Sequence, residues 1–436
     1  MLNRIGIRLE DKNEWERRVP LIPRDVARLT VLGIEVWVER FRRRAFADRS
    51  YEAAGAQLVG DARACDIVLG IKEMPKDYFR PDGAYMFFSH TIKGQSYNME
   101  MLATLVERKC TLLDYELVAD ESGKRLIFFG RYAGLAGMID TLWTLGRRLK
   151  TQGIETPFLS IEPAHHYGEL DEAKATVGAV GAKIADGGIP EELAPMVVGF
   201  TGYGNVSTGA QEIFDLLPYV QVKPEDLAKT IQQCAGVRDK LIKVVYAEKD
   251  LVERIDPSQD FSLEEYYDHP ERYHSTFEPN LRMLTVLMNC IYWDERYPKL
   301  ADAGQLGALF AESERPKLVA VGDITCDVDG SLECTVRDTE PGDPVYVYDP
   351  ETHRAQRGFE GPGLAVMPVG NLPCELPRGA SASFSGALAP FVPDMANMDL
   401  LSRFKDVEMP DPIRRSVILW RGQFTPRFEY MRDFLR

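Results

Sequence analysis

The sequence lacks what several classes of protein require. It holds no apolar run near the ~20 residues needed to cross a bilayer, so no membrane partner is expected. Its first stretch, MLNRIGIRLEDKNEW, has neither the apolar core of a secretory signal nor the acid-poor character of a transit peptide. A cytoplasmic location is the expectation. Cysteines are few, at 65, 110, 234, 290, 326, 334 and 374. None stands in C-x-x-C and the count is odd, which reads as reduced thiols rather than a disulfide framework. The 6 histidines find no Cys or His partners at zinc spacing, so no metal site is expected, the His165–His166 pair included. Basic residues are outnumbered, 52 against 67, for a net charge of −15. That removes the attraction to phosphate backbones on which nucleic-acid binding depends. There is no G-x-S-x-G nucleophile motif, no internal repeat and no low-complexity tract.

What is present is an alternation of short apolar strands and amphipathic helices. The 436 residues suffice for two or three domains of ~100–200 residues each. RIGIRL, IEVWVE, DIVLGIK, GAYMFFSHTIK and CTLLDYE read as strands, with PRDVARLTVLG and SYEAAGAQLV as helices among them. This βαβ order predicts a parallel sheet with helices on both faces. A long helix is expected from about Gly134 to Lys150, with small residues at 133, 134, 136 and 137 that permit close packing. A second α/β run follows, through PFLSIEP, DEAKATVGAVGAKIA, MVVGFTG, AQEIFDLL and YVQV to LVAVGDIT. PVYVYDP and the tail read as a return to the first domain, and 253–280 and 361–393 as loops rich in turn residues. The fold class is therefore α/β: two Rossmann-like domains with parallel sheets and an inter-domain cleft. Residues 1–138 begin a substrate domain, 139–333 form a dinucleotide-binding domain, and 334–436 return to the first.

VVGFTGYGNVSTGAQEIF carries the clearest chemistry. An apolar strand runs into Gly202-Tyr203-Gly204, and a helix begins just beyond. The first glycine permits the tight turn. The second lets backbone approach a pyrophosphate, which the free N–H groups of the helix start would bind. The spacing to Gly209 is longer than in G-x-G-x-x-G, and a glycine turn without a ligand is the plain alternative. The next strand end, YVQVKPED, offers Gln221 and Lys223 before any acid. NAD enzymes place an acid there, so the segment leans toward NADPH, with NADH still open.

Lys72 and His90 close two strands that neighbour each other in the predicted order, so a parallel sheet would bring both to one edge. A lysine beside an apolar strand has its pKa depressed by burial, and histidine exchanges protons near neutrality. Imine chemistry needs such a pair. A solvated strand end and a satisfied core histidine are the plain alternatives. Arg17 and Arg18 could fork onto carboxylates. Taken one by one, they, Glu116 and Arg125 read more simply as surface charges.

These residues lie in segments that together resemble a known family. DKNEWERRVPLIP, VLGIKEMP, FFSHTIKGQ, LLDYELV, FGRYAGLAGMID, FTGYGNVSTGAQEIF, HPERY, NCIYWDERYPKL and VGDITCDVDGSLE follow in the family's order and spacing. The chain resembles the lysine–2-oxoglutarate reductases, the lysine-forming saccharopine dehydrogenases and, more distantly, the alanine dehydrogenases. The resemblance implies an NADPH-dependent reductive condensation of L-lysine with 2-oxoglutarate to saccharopine, through an imine. It places Lys72 and His90 on the acid–base pair, and Arg18 and Arg125 on residues that hold substrate carboxylates. Glu73 and Glu116 fall on acids lining the same pocket. Lys93 falls on a position near Asp323, and Asp323 on one near the nicotinamide ribose. Gly202, Tyr203, Gly204, Asn205, Val206 and Gly209 fall on the dinucleotide turn. Two alternatives stand beside this reading: an opine-type or alanine-type amino acid dehydrogenase of the same fold, and a nucleotide-binding regulatory protein without catalysis. The sequence is silent on whether the chain forms a homo-oligomer.

Overall fold

The computed structural model describes residues 3–313 and 315–435. It divides into two compact units: unit 1 comprises residues 1–129 and 377–436, and unit 2 residues 130–376. The chain re-enters unit 1 at Pro377, not at 334. The reason lies in three strands beyond 334 that extend the sheet of unit 2.

Unit 1 opens with β1 (Arg4–Ile7), α1 (Pro23–Val31), β2 (Glu35–Glu39), α2 (Asp48–Ala53), β3 (Gln57–Val59), β4 (Ile67–Leu69), β5 (Ala84–Phe87), α3 (Ser96–Glu107) and β6 (Thr111–Asp114). Strands β1 to β6 all pair in parallel. SYEAAGAQLV is thus helix only at its start; past Gly55, at φ +85°, the chain turns into β3. Side chains alternate between the two faces, as the strand period of two requires. Ile5, Ile7, Ile67, Leu69, Met86 and Leu113 enter one core. Val68, Tyr85, Phe87 and Leu112 enter the other, with Leu102 and Leu105 of α3.

Unit 2 begins with α4 (Gly130–Thr151), a 22-residue helix longer at both ends than its apolar pattern predicted. After it come α5 (Leu170–Gly187), β7 (Val197–Thr201), α6 (Asn205–Phe214), β8 (Tyr219–Val222) and β9 (Leu241–Tyr246). PFLSIEP forms a short 3-10 turn rather than a strand. The loop expected over 253–280 contains the antiparallel pair β10 (Val252–Arg254) and β11 (Tyr273–Ser275) and a helix, Leu263–Asp268. Then come β12 (Val286–Asn289), β13 (Ala320–Asp323), β14 (Tyr346–Asp349), β15 (Arg354–Arg357) and β16 (Leu364–Met367). The sheet order is β15-β14-β16-β13-β12-β7-β9-β8. PVYVYDP therefore belongs to unit 2, as β14, antiparallel to β16.

Back in unit 1, Pro377–Leu388 is a helix, although its serine and glycine content reads as loop. Ser381 Oγ and Ser385 Oγ accept the backbone N–H groups of Val19 and Ile22, each at 3.0 Å. Those serines hold the segment that carries Arg18. β17 (Val417–Trp420) and β18 (Gln423–Phe424) complete the first sheet, in the order β18-β17-β6-β5-β4-β1-β2-β3. Its parallel part has the doubly wound order 3-2-1-4-5-6, with the direction of winding reversing between β1 and β4. Among the described residues, no helix is long and apolar enough to cross a membrane.

Candidate active site

In doubly wound sheets ligands meet the carboxyl ends of the strands, at the point where winding reverses. In unit 1 those ends carry titratable groups. Glu10 follows β1, Lys72 and Glu73 follow β4, Ser89 and His90 follow β5, and Asp114 and Glu116 lie at the end of β6.

Glu10 holds the turn after β4. Its two carboxylate oxygens accept the N–H groups of Ile71 at 2.6 Å and Lys72 at 3.1 Å. Burial, with the nearby Glu16 charge, pushes Glu10 up to about 8. Lys72 is presented by that turn. Burial lowers its pKa, and the Arg18 cation lowers it further. The lysine is thereby brought closer to the neutral amine that a proton acceptor must be.

His90 occupies the left-handed region at φ +48°, uncommon outside glycine, and two neighbours fix it there. Ser89 donates from N at 2.9 Å and from Oγ at 2.5 Å to Asp114 Oδ2. Asn98 Nδ2 donates to the His90 carbonyl at 3.2 Å. Burial raises Asp114 to about 6 against these hydrogen bonds. The His90 ring stacks on Phe88, and its Nδ1 lies 2.6 Å from Glu73 Oε1. Burial opposes ionisation of Glu73, yet the hydrogen bond and charge of His90 hold it down at about 2. A carboxylate on Nδ1 fixes the tautomer and leaves Nε2 for exchange. Lys12 Nζ stands 3.4 Å from the other oxygen of Glu73.

The arginines expected to hold substrate carboxylates hold protein carboxylates. Arg18 forks onto Glu16, Nε to Oε1 at 2.8 Å and the second nitrogen to Oε2 at 2.6 Å, with both side chains buried. It also covers the Phe129 ring at 4.3 Å. Phe129 in turn packs on Phe88, so Arg18, Lys72, Glu73 and His90 form one continuous cluster. Arg125 pairs with Glu116 but is 54% exposed, so it has donors to spare for a ligand. The two line a cavity of about 420 Å³ with Ile92, Arg415 and Arg427. Lys93 is exposed on the loop beyond His90. It belongs to unit 1 and Asp323 to unit 2, so neither unit alone makes the expected pair.

Unit 2 carries the glycine turn. Gly202 has φ +79°, which glycine alone adopts without strain. A Cβ on Gly204 would meet nothing within 4 Å, so backbone there is open to close approach. Gly204 is the N-cap of α6 and supplies no side-chain acceptor, so the helix start at Asn205 and Val206 keeps N–H groups for an anion. These features fit a pyrophosphate. Gly209 differs from expectation. A Cβ there would overlap the Arg131 carbonyl, and one on Gly134 the Val206 carbonyl. Both glycines exist for the backbone contact of α4 with α6, and Gly209 does not face a ligand. Asp323 also differs. It is 1% exposed, and its carboxylate accepts Asn289 Nδ2 at 2.8 Å, Cys326 N at 3.1 Å and the Thr335 hydroxyl. It organises the loop after β13 from within. His165 bonds Glu375 at 3.0 Å inside unit 2.

Sequence reading missed Glu10, Glu16 and Asp114. The first and last could have been found by asking which polar residues end each parallel strand. It also placed the ribose-reading position at the end of β8, whereas the strand beside β7 is β9. Gly202 N bonds the carbonyl of Tyr246, the last residue of β9, at 2.9 Å.

Residues 6–136 match the family model described as alanine dehydrogenase/PNT, N-terminal domain. The chain is 39% identical to the alpha-aminoadipic semialdehyde synthase of Arabidopsis thaliana over 98% of its own length and 41% of that protein's. To the mitochondrial protein of that name from Bos taurus it is 35% identical, over 98% of this chain and 47% of the other. The chain thus spans less than half of these two relatives. It is 25% identical to a saccharopine dehydrogenase [NAD(+), L-lysine-forming] of Emericella nidulans, over 93% of this chain and 96% of that one. A solved L-alanine dehydrogenase superposes with a TM-score of 0.62 at 20% identity, over 99% of this chain and 100% of the other, which gives the two-domain α/β fold. The resemblance carried by the motifs stands on these matches.

Proposed function

We propose that this chain is a nicotinamide-dependent oxidoreductase that condenses L-lysine with 2-oxoglutarate and reduces the product to saccharopine. The observation that carries the reading is the Lys72–Glu73–His90 cluster at the winding reversal of unit 1, in a chain that matches a lysine-forming saccharopine dehydrogenase over 93% of its own length and 96% of that enzyme's.

Unit 2 would hold the dinucleotide at Gly202–Val206. When bound in its reduced form, the cofactor supplies a hydride to the carbon–nitrogen double bond. Unit 1 does the proton work. A substrate ammonium must lose a proton before it attacks the oxo carbon, and Lys72, shifted toward its neutral form, is suited to take it. Loss of water from the adduct needs a proton, which His90 can give from Nε2 while Glu73 steadies the imidazolium. Arg125, with donors still open, orients a substrate carboxylate. Arg18 is a positioning residue: engaged with Glu16, its cation adds to burial in lowering the Lys72 pKa. Orientation of two substrates at one edge supplies much of the rate.

Which dinucleotide is used follows from the strand end taken as the ribose reader. The end of β8 leans to NADPH and the end of β9 to NADH, and the strand order favours the second.

The test is oxidation of NADH and NADPH by the purified chain with 2-oxoglutarate, adding lysine, ornithine or ammonium separately. Turnover that requires lysine supports the reading. Turnover with ammonium alone would move the chain to an alanine-type dehydrogenase. Dinucleotide binding without turnover on any pair would make it a binding protein.

A further inference from the structure

The titratable groups of unit 1 gather where β4, β5 and β6 end. Lys109, just before β6 begins, lines a separate cavity of about 410 Å³ at the opposite edge of the sheet. The floor is aromatic, made of buried Trp420 and Phe424 and half-buried Phe404. The rings of Phe404 and Trp420 lie 5.7 Å apart, and Trp420 Nε1 donates to the Ser402 carbonyl at 2.9 Å, which fixes the indole. The rim is basic, made of exposed Lys109, Arg403 and Arg421. Among the described residues no carboxylate lines the cavity, although acids outnumber bases 67 to 52 in the chain. Arg403 Nε donates to Asp406 at 2.7 Å. Lys109 and Arg421 pair with no carboxylate among the described residues.

Backbone geometry favours neither of these two cations. A two-residue turn, Arg421-Gly422, joins β17 to β18 at φ +50° and +76°. Such a turn takes Asn, Asp or Gly at its first position. Lys109 follows α3 at φ +55°, where Gly or Asn commonly ends a helix. A Cβ on Gly422 would meet the Val106 carbonyl at 2.6 Å and Lys109 Cα at 2.8 Å, so the two left-handed sites lie against each other. Two positions that suit a small residue thus carry long cations, and both line one cavity.

We infer that this cavity binds a small aromatic carboxylate, at a site separate from the groups at the far end of β6. The ring lies among Phe404, Trp420 and Phe424, which offer apolar and π surface. Its carboxylate meets Lys109 and Arg421, one oxygen to each. Arg421 gives one donor to the Leu401 carbonyl at 3.0 Å and keeps others for the ligand. Ring and charge are both needed, since exposed cations alone hold a hydrated anion weakly.

The experiment is calorimetric titration of the full chain with 2-naphthoate, at neutral pH and low salt. One molecule is expected to bind, with Kd below about 1 mM. 2-Naphthalenemethanol, the ring without the charge, and acetate, the charge without the ring, should each bind at least about tenfold more weakly. Lys109→Glu should weaken 2-naphthoate at least about tenfold. Lys229→Glu changes the net charge equally on an exposed helix of unit 2 and should leave the affinity within about twofold. Arg421→Asn suits the turn better than arginine does, so it should weaken binding while the melting temperature holds or rises. Absence of binding up to about 10 mM would overturn the assignment, and that measurement needs no variant. So would a neutral ring that binds as tightly as the anion, or an affinity that Lys109→Glu and Arg421→Asn leave unchanged. Equal loss in Lys109→Glu and Lys229→Glu would overturn it as well, since general charge attraction would act that way.

Discussion

Glu73 Oε1 and His90 Nδ1 lie 2.6 Å apart, joining the ends of two neighbouring parallel strands across a part-buried hydrogen bond. The carboxylate selects the proton position on the ring, so its loss should act on chemistry more than on binding. For Glu73→Gln, kcat is expected to fall ~10–100-fold with KM little changed. Steady-state kinetics with saturating dinucleotide separates the two. A rise in KM at constant kcat would instead make Glu73 a substrate contact.

The same pair has a signature in acid. Glu73 is held at about 2, below its ordinary 4.5. A depressed carboxylate stabilises the fold above its unfolded pKa and loses that contribution as pH falls through the folded value. Melting curves of the wild type and Glu73→Gln should therefore converge between about pH 4.5 and pH 2.

Glu10 predicts the opposite trend. Burial raises it to about 8, so the folded chain holds a proton that the unfolded chain releases near 4.5. Its stability contribution is complete below 4.5 and is lost as pH rises through 8. Glu10→Gln loses one acceptor oxygen at every pH. Its melting temperature relative to wild type should nevertheless climb by at least about 2 °C from pH 5 to pH 9. A flat difference would mean that Glu10 stays ionised.

Lys72→Met should lower kcat by ~10²–10⁴. Arg18→Met is more informative. It removes a cation that depresses Lys72, so the lysine pKa should rise and the pH–rate profile move to higher pH. A profile displaced to lower pH, or fixed, would take Lys72 out of the proton-accepting role.

Two glycines of the dinucleotide motif, Gly204 and Gly209, should behave differently. Gly204→Ala meets no atom in the protein and should leave urea stability within about 0.5 kcal/mol while weakening dinucleotide binding. Gly209→Ala drives a methyl into the Arg131 carbonyl and should cost at least ~2 kcal/mol.

Much of this was legible in the sequence because the information is local. β1, β4, β5 and β6 are short apolar runs ending in polar residues, and the pattern alone locates Lys72 and His90 at strand ends. The glycine turn shows itself by strand, turn and helix in succession. What stayed hidden depends on contacts distant in sequence. Nothing local says that Gly209 packs on Arg131. The serines of Pro377–Leu388 look like loop until their partners Val19 and Ile22 are known. Strand order is the clearest case. Sequence suggests that β8 lies beside β7, and only the sheet places β9 between them.

The pairing of β6 with β17 has a temporal side. Thr111 and Arg421, bonded across that end of the sheet, are 310 residues apart. A nascent chain emerging from the ribosome completes β6 early, then synthesises all of unit 2 before β17 exists. Throughout that interval β6 is an uncovered edge, the kind of surface on which strands from other chains can add. Messages truncated before Pro377 should therefore yield aggregating product rather than a soluble half, and β17 acts as the closing stroke of a domain whose first strand was made long before.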